Sequence, residues 1–555
     1  MKRSKNLKLS SFLYSLLLIL LSALLFTLAH PNILFKNGIQ ILGWVMYIPV
    51  LVLLKRSPLL AAVLWGGMYG CISFAMFTYW VSAFHILSGI IISLIYLVYF
   101  AALFFTLKVA QIIFPRRGWI VQCLLWTGFE FLRTKGFLGF GYGITAYTQW
   151  QNIKLIQIAS IFGIWGINAL MIWPQTLLAS AFDRQNDLKI AQNWKISAVF
   201  VLNKIKIPLL FWFFALSACI IYGFASKTDY SQLPQVRAVL IQSNADPWKN
   251  VNGNYRGTFN VLTRLSNEAL AAGPRPDIVV WPETAFIPMI YWNDHYRTNP
   301  VIYPQVKELL EYLRDQDVPF VIGNDDGRAE MDESGNTTRV DYNAAILFEN
   351  GEMKDIYRKI HLVPFSEYFP YRNQLPFIYD LLVKTGAHFW EPGKKPVVFS
   401  IKRKSSEASE DLKFSTPICF EDTFGDGTRI FALGGADFFV NLSNDSWSHS
   451  LPCQMQHLSM AVFRSVETGR SMVRSTASGQ TCAINPNGEI VAMAAAFEET
   501  SLNVSVPVEK KISFYTKHGD FLPVFCLILA ALVLLIGLIV HIIKNYDKQE
   551  KNPNS

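Results

Sequence analysis

FSTPICFE, residues 414–421, decides how the rest of the chain is read. It begins as an apolar strand and ends on Cys419, with Phe420, Glu421 and Asp422 directly behind. Open α/β sheets carry their chemistry where a strand ends and the chain turns away. Six further runs have the same buried character: VRAVLIQ (236–242), DIVVWPE (277–283), VPFVIGN (318–324), AAILFE (344–349), ADFFVNLS (436–443) and SMVRSTAS (471–478). Helical periodicity fills 253–272, 303–316 and 454–470. Strands this apolar must be covered on both faces, which predicts an α/β fold over the middle of the chain. Residues 325–340 and 402–412 are read as polar loops.

Outside this region the composition changes. The chain of 555 residues is 52% hydrophobic and 16% charged, where soluble domains carry roughly 25% charged residues. Runs of about 20 apolar residues can cross a bilayer. They occur near 11–29, 39–54, 58–81, 88–114, 117–133, 159–182 and 207–225, and again at 521–543. The expected organisation is a seven-helix transmembrane domain (1–225), an extracytoplasmic catalytic domain (226–510) and a C-terminal transmembrane helix with a cytoplasmic tail (511–555). The first run is longer than the 7–15-residue core of a signal peptide, so it is read as an uncleaved anchor.

Charge sets the expected orientation. Lys2, Arg3, Lys5 and Lys8 open the chain, Lys55 and Arg56 and then Arg116 and Arg117 follow, and Lys544, Lys548 and Lys551 close it. Positive residues mark cytoplasmic loops, so both termini are placed in the cytoplasm and eight crossings leave the middle region outside. These segments and the 183–206 loop hold 16 of the 50 basic residues against 4 of the 41 acidic ones. The net charge of +9 is therefore an orientation signal, and nucleic acid is not an expected partner. The seven cysteines form no C-x-x-C pair, no zinc spacing and no evident disulfide framework.

Three segments could carry covalent acyl chemistry, which needs a nucleophile, a base and a group to hold an oxyanion. VVWPETAF sets Glu283 after a buried strand, where a raised carboxyl pKa would make it a base. YRKIHLVPFSEYFP supplies Lys359 and Glu367, and STPICFED supplies Cys419. Taken singly, each has an ordinary reading: a solvated glutamate, a surface lysine, a small core cysteine. No G-x-S-x-G or H-E-x-x-H occurs. Glu130 and Arg133, three apart near the end of a span, are read as a mutual pair, because intramembrane charge is costly. Arg464, Glu467 and Arg470 are read as an ion-pair ladder on one helix. His361 is read as structural, and Asn441, Asn444 and Asp445 as turn residues.

The three segments together, in this order, resemble the nitrilase superfamily and its Glu–Lys–Cys triad. Flanked by apolar spans, they resemble the apolipoprotein N-acyltransferase family. LLWTGFEFLR (124–133), GFGYG (139–143), LIQIASIFGIWG (155–166), IQSNADPWK (241–249), HLVPFSEYFP (361–370), NLSNDSW (441–447), QHLSMAVFRSVETGR (456–470) and NPNGEI (485–490) carry that resemblance. It implies a multi-span α-helical membrane domain plus an α/β nitrilase-like α-β-β-α sandwich. It implies Glu283 as general base, Lys359 as oxyanion stabiliser and Cys419 as nucleophile, with Glu367, Trp248, Phe420 and Glu421 supporting them. The implied partners are a phospholipid acyl donor, a diacylglyceryl-apolipoprotein acceptor and the bacterial inner membrane, with no metal or organic cofactor. Three stretches depart from the family pattern. Phe420 stands where the family often has tyrosine, Trp447-Ser448-His449 follows Asp445 differently, and Gly139-Phe140-Gly141-Tyr142 replaces a Gly-Phe-Pro-Trp stretch. A membrane-tethered amidase would use the same triad with water as second nucleophile. A transporter with an extracytoplasmic binding domain would show internal repeats, and none is seen.

Overall fold

A computed structural model describes residues 2–84, 86–136, 138–182, 194–247, 255–331, 335–384, 386–403 and 411–551. They group into two units: Met1–Ser226 with Asp520–Ser555, and Lys227–Gly519. Residues 511–519 thus fall with the second unit rather than with the last span. Ser513 caps the short helix Phe514–His518 there and donates to Glu467 O.

In the second unit the apolar runs become twelve strands: β1 (Gln235–Gln242), β2 (Ile278–Val280), β3 (Phe320–Met331), β4 (Thr337–Glu349), β5 (Glu352–Arg358), β6 (Phe399–Ile401), β7 (Leu412–Ser415), β8 (Phe438–Ser443), β9 (Ser471–Thr476), β10 (Cys482–Ile484), β11 (Ile490–Met493) and β12 (Thr500–Pro507). They form two six-stranded sheets, ordered β12-β1-β2-β3-β4-β5 and β11-β10-β9-β8-β7-β6. Each has a parallel centre, β1-β2-β3 in one and β7-β8-β9 in the other, extended by antiparallel strands.

Alternation explains the layering. Val239, Ile241, Val279, Phe320, Ile322, Ala344, Ile346 and Phe348 point to one face of the first sheet. There they meet Phe259, Leu262 and Leu265 of helix Tyr255–Ala272 and Val306, Leu309 and Leu313 of helix Tyr303–Arg314. The opposite face meets the second sheet: Ser475 Oγ of β9 donates to Ile241 O and Val280 O, at 2.7 and 3.1 Å. Helices Gly425–Leu433 and Leu451–Thr468 join the parallel pairs β7–β8 and β8–β9. Parallel crossovers lie on a sheet face; the inner face is taken, so these helices cover the outer one. The layers run helix, sheet, sheet, helix, the sandwich that the resemblance implies.

Two readings need correction here. The stretch read as a loop over 325–340 is largely strand: Asp325–Met331 pairs residue by residue with Thr337–Asn343, and 332–334 lie outside the described residues. Its polar alternation satisfies a hairpin, with Arg328 on Asp326 and Arg339 on Asp341. The strand read over 414–421 stops at Ser415, and Cys419–Thr423 turns into a 3₁₀ helix.

In the first unit, five helices among the described residues are long and apolar enough to span a membrane: Leu9–Ala29, Leu59–Phe77, Ile86–Ile113, Leu202–Ser226 and Phe521–Asp547. A sixth crossing is available if Ile153–Phe162 and Ile164–Ala181, bent by 115°, count as one. Two of the eight runs read as spans form shorter helices than expected. Run 39–54 breaks into a 3₁₀ turn, Gln40–Trp44, and the nine-residue helix Ile48–Arg56. Run 117–133 makes only the 15-residue helix Gly118–Leu132. At 1.5 Å per residue these helices reach about 14 and about 22 Å, against a core of about 30 Å. The bend falls at Gly163, whose φ of +61° suits a residue without Cβ.

Glu130 and Arg133 are both buried, but each has its own partners rather than the other. Glu130 accepts from Thr145 N and Oγ1 at 3.0 and 2.8 Å and from Trp126 Nε1 at 3.1 Å. Arg133 donates to Tyr96 Oη, Phe140 O and Tyr142 O at 2.8–3.0 Å. Both charges thereby pin the 140–145 chain to the helix Gly118–Leu132.

Candidate active site

Glu283 lies just past β2, in a turn where Thr284 takes a φ of +46°. The turn crosses β3 at Gly323, where a Cβ would lie 2.3 Å from Pro282 O and 2.7 Å from Glu283 Cα. Only glycine admits that approach. Lys359 follows β5 and extends its pairing by one bond, Lys359 N to Asn343 O at 2.8 Å. Its ammonium is wholly buried, 3.1 Å from Glu283 Oε1 and 2.7 Å from Glu367 Oε1. Asn343 Nδ2 donates to the same Glu283 oxygen at 2.8 Å. Glu367 is fixed in turn by Val363 N at 2.9 Å.

Cys419 opens its 3₁₀ turn with φ +49°, the left-handed region that a non-glycine residue occupies only at a cost of about 1–3 kcal/mol. Glu421 holds the turn there. Its carboxylate accepts from Ile418 N (2.8 Å) on the cysteine side, and from Ile360 N (2.8 Å), His361 N (3.0 Å) and Tyr357 Oη (2.7 Å) on the lysine side. One buried side chain thus ties the cysteine turn of one sheet to the lysine segment of the other. Charge-assisted bonds of this kind are the strong ones. Glu421→Gln should cut acyl transfer by about tenfold to a hundredfold and lower the melting temperature, because an amide cannot accept four donors. Turnover and thermal unfolding of the purified variant check this.

A second buried network supports Cys419 from below. His457 Nε2 lies 2.7 Å from Asp422 Oδ1 and 3.3 Å from Cys419 O, and its Nδ1 lies 3.0 Å from Asp445 Oδ1. Arg474 also binds Asp422. Burial would lower the imidazole pKa, but the two carboxylates outweigh it and raise it to about 10.

The electrostatics suit a neutral thiol beside a base. Burial, and then the Glu283 carboxylate, push the Cys419 thiol well above its ordinary value, with Lys359 opposing. Burial alone would lower Lys359; the carboxylates of Glu283 and Glu367 reverse that and hold it charged. Burial and Glu283 raise Glu367, opposed by Lys359. Such a cluster can move a proton from thiol to carboxylate while a fixed cation stands by for an oxyanion.

The structure brings Glu283, Lys359, Glu367, Cys419 and Glu421 together. Phe420 is buried, its ring edge-on to Phe424 at 4.9 Å. Trp248 lies outside the described residues. Sequence reasoning missed Asn343, Asp422 and His457. The signals available were an asparagine beside the apolar run 344–349, an aspartate directly behind the cysteine segment, and a histidine on the helix between two apolar strands. Asp445, read as a turn residue, is a partner of that histidine. His361 stacks on Phe424, 5.0 Å between ring centroids, and donates its backbone N–H to Glu421. The proposed ladder is half formed: Arg464 pairs with Glu467 at 2.8 Å, but Arg470 turns to the carbonyls of Ala436, Lys510 and Lys511.

This fold and cluster define a class. Residues 232–511 match the carbon-nitrogen hydrolase family, and residues 22–177 match the apolipoprotein N-acyltransferase N-terminal domain. Apolipoprotein N-acyltransferase 1 of Treponema denticola is 40% identical over 97% of this chain and 98% of its own length. Its counterpart from Treponema pallidum is 39% identical over 95% of this chain and 96% of its own. The second Treponema denticola relative, apolipoprotein N-acyltransferase 2, is 29% identical over 92% and 95%. The chain belongs to the apolipoprotein N-acyltransferase family: a membrane-embedded acyltransferase with a nitrilase-like domain.

Proposed function

We propose that the enzyme transfers an acyl chain from a phospholipid, through a thioester on Cys419, to the N-terminal α-amine of a diacylglyceryl-cysteine lipoprotein. The observation that supports this most is the buried Lys359 between Glu283 and Glu367, electrostatically joined to the Cys419 thiol. Glu283 takes the thiol proton as sulfur attacks the ester carbonyl. Lys359 has three N–H donors, two of them spent on carboxylates, and the third stabilises the oxyanion. The C–O bond then breaks, and Glu283 returns the proton to the departing lysophospholipid oxygen. In the second half the lipoprotein amine attacks the thioester. Glu283 takes the amine proton, the C–N bond forms and the C–S bond breaks, and the thiolate recovers its proton. Glu367 keeps Lys359 paired while Glu283 is protonated. An amide made from a thioester is downhill, so no ATP is needed, and two products leaving in turn give ping-pong kinetics.

The helix Pro376–Lys384 fits an acyl-chain entry arm. It buries none of its residues, and Phe377 and Leu381 are 68% and 60% exposed. Beyond it Gly386 takes a φ of +95°, and Trp390 N donates to Glu367 O at 2.8 Å, so the arm ends at the site. Phe377→Ser with Leu381→Ser should lower phospholipid turnover about tenfold and leave the melting temperature unchanged. A drop in both would assign this helix to the fold instead.

The orientation we propose puts both termini in the cytoplasm and the catalytic unit outside the inner membrane. It needs an odd number of crossings before residue 227, and keeping Lys55, Arg56, Arg116 and Arg117 cytoplasmic requires the runs 39–54 and 117–133 to count among them, which makes seven. The amidase alternative is tested by incubating the enzyme with labelled phospholipid and a diacylglyceryl peptide, or with small amides. Label appearing on the peptide amine supports the transferase, and ammonia released from small amides without peptide acylation overturns it.

A further inference from the structure

Strand alternation places Val321, Gly323 and Asp325 of β3 on the face of the first sheet that turns toward the second. Their neighbours Phe320 and Ile322 go to the helix side. On β4, Asn343, Ala345 and Leu347 share that inner face, with Ala344, Ile346 and Phe348 on the other. The register pairs Asp325 with Asn343 directly. Opposed side chains on one face have Cβ atoms about 4.5–5.5 Å apart, within hydrogen-bond reach for two side chains of this length.

Both carry a bare acceptor. Asn343 spends Nδ2 on Glu283, while its Oδ1 is buried and meets no donor among the described residues. Asp325 Oδ1 is equally buried and unpartnered. Turning the amide over would only set its oxygen against the Glu283 carboxylate. Two buried acceptors on directly opposed residues are costly unless a proton is shared between them. We propose that Asp325 is a positioning residue for Glu283: as the neutral acid it donates its O–H to Asn343 Oδ1, and so fixes the amide that donates to Glu283 Oε1.

The surroundings favour the neutral acid. Asp341 lies two residues before Asn343 on the same face, and Glu283 and Glu367 approach from the other segments; the Trp390 indole N–H opposes them but is outweighed. The nearby basic side chains are engaged elsewhere. Arg339 and His388 lie against Asp341, Lys359 holds Glu283 and Glu367, and Arg328 and Arg358 hold Asp326. Burial first, then the Asp341 carboxylate, raise the Asp325 pKa to about 7. Once Asp325 ionises, the amide is drawn to turn its NH₂ toward Asp325 and its oxygen toward Glu283, which disfavours the carboxylate form of the base. Base function is therefore held below that pKa and lost above it.

The inference rests on Glu283 acting as the base, so its test reads only the first half-reaction. Full-length enzyme in phospholipid micelles is sampled for the rate of Cys419 thioester formation from pH 6 to 9.5. The wild type should slow about tenfold on passing above neutral pH. Asp325→Asn, whose amide donates to Asn343 Oδ1 at every pH, should keep the low-pH rate and lose that alkaline fall. Asp325→Ala should be about tenfold slower throughout, with thermal unfolding confirming that it is folded. An unchanged alkaline fall in Asp325→Asn, or wild-type rates in Asp325→Ala, would overturn the proposal. A wild type forming no thioester would instead overturn the function proposed above.

Discussion

Cys419→Ala should reduce acyl transfer by about four orders of magnitude or more, because removing the nucleophile of a concerted cluster leaves only binding and oxyanion stabilisation. The fold should survive. The side chain is buried but small, and alanine meets the same left-handed backbone strain at φ +49° that cysteine already tolerates. Glu421 anchors the turn through backbone N–H groups that the substitution leaves alone. Acylation assays beside a thermal melt therefore separate the two effects. Loss of activity with a melting temperature within a few degrees of wild type is the expected pair. Persistent N-acylation would remove Cys419 from the chemistry.

Lys359→Met should damage both activity and stability. The methionine keeps the volume but leaves the Glu283 and Glu367 carboxylates facing each other without the cation that now sits 3.1 and 2.7 Å from them. Breaking a buried pair by removing one partner costs about 3–5 kcal/mol. The two acids then share a proton, so Glu283 is lost as a base, and the oxyanion loses a donor worth about a hundredfold to a thousandfold in rate. Adding Glu367→Gln tests the division. It removes the surplus charge and should recover most of the lost melting temperature, while transfer stays low because neither change restores the cation. Recovery of activity in the double variant would mean that Lys359 serves only to neutralise charge.

The parts of this enzyme that were legible in sequence are those governed by local pattern. Seven of the twelve strands and three of the covering helices follow from periodicity, and Glu283, Lys359 and Cys419 stand in the turns just past strand ends. What escaped depends on contacts between distant segments. Asn343 lies on the strand next to the sheet edge, and its amide matters only because Gly323 lets the Glu283 turn come down beside it. The four donors on Glu421 come from both sides of a 57-residue separation, which no spacing rule reveals. Residues 325–340 look like a loop because polar side chains fill them, yet the paired strands satisfy those side chains, along each strand in Arg328–Asp326 and Arg339–Asp341 and between strands in Tyr342–Glu330. In the membrane unit composition alone overstated the length of two helices. Apolar content marks what is buried, but Gly163 and the short helix Ile48–Arg56 show that burial there is met by bent and partial helices as well.

The most direct test of the mechanism is mass spectrometry of the full-length enzyme after exposure to phospholipid alone. The Cys419 peptide should carry one acyl chain as a hydroxylamine-labile thioester, and adding a diacylglyceryl-cysteine peptide should discharge it with matching N-acylation of the peptide. An unmodified Cys419 under conditions that support transfer, or an adduct that the peptide amine fails to remove, would refute it.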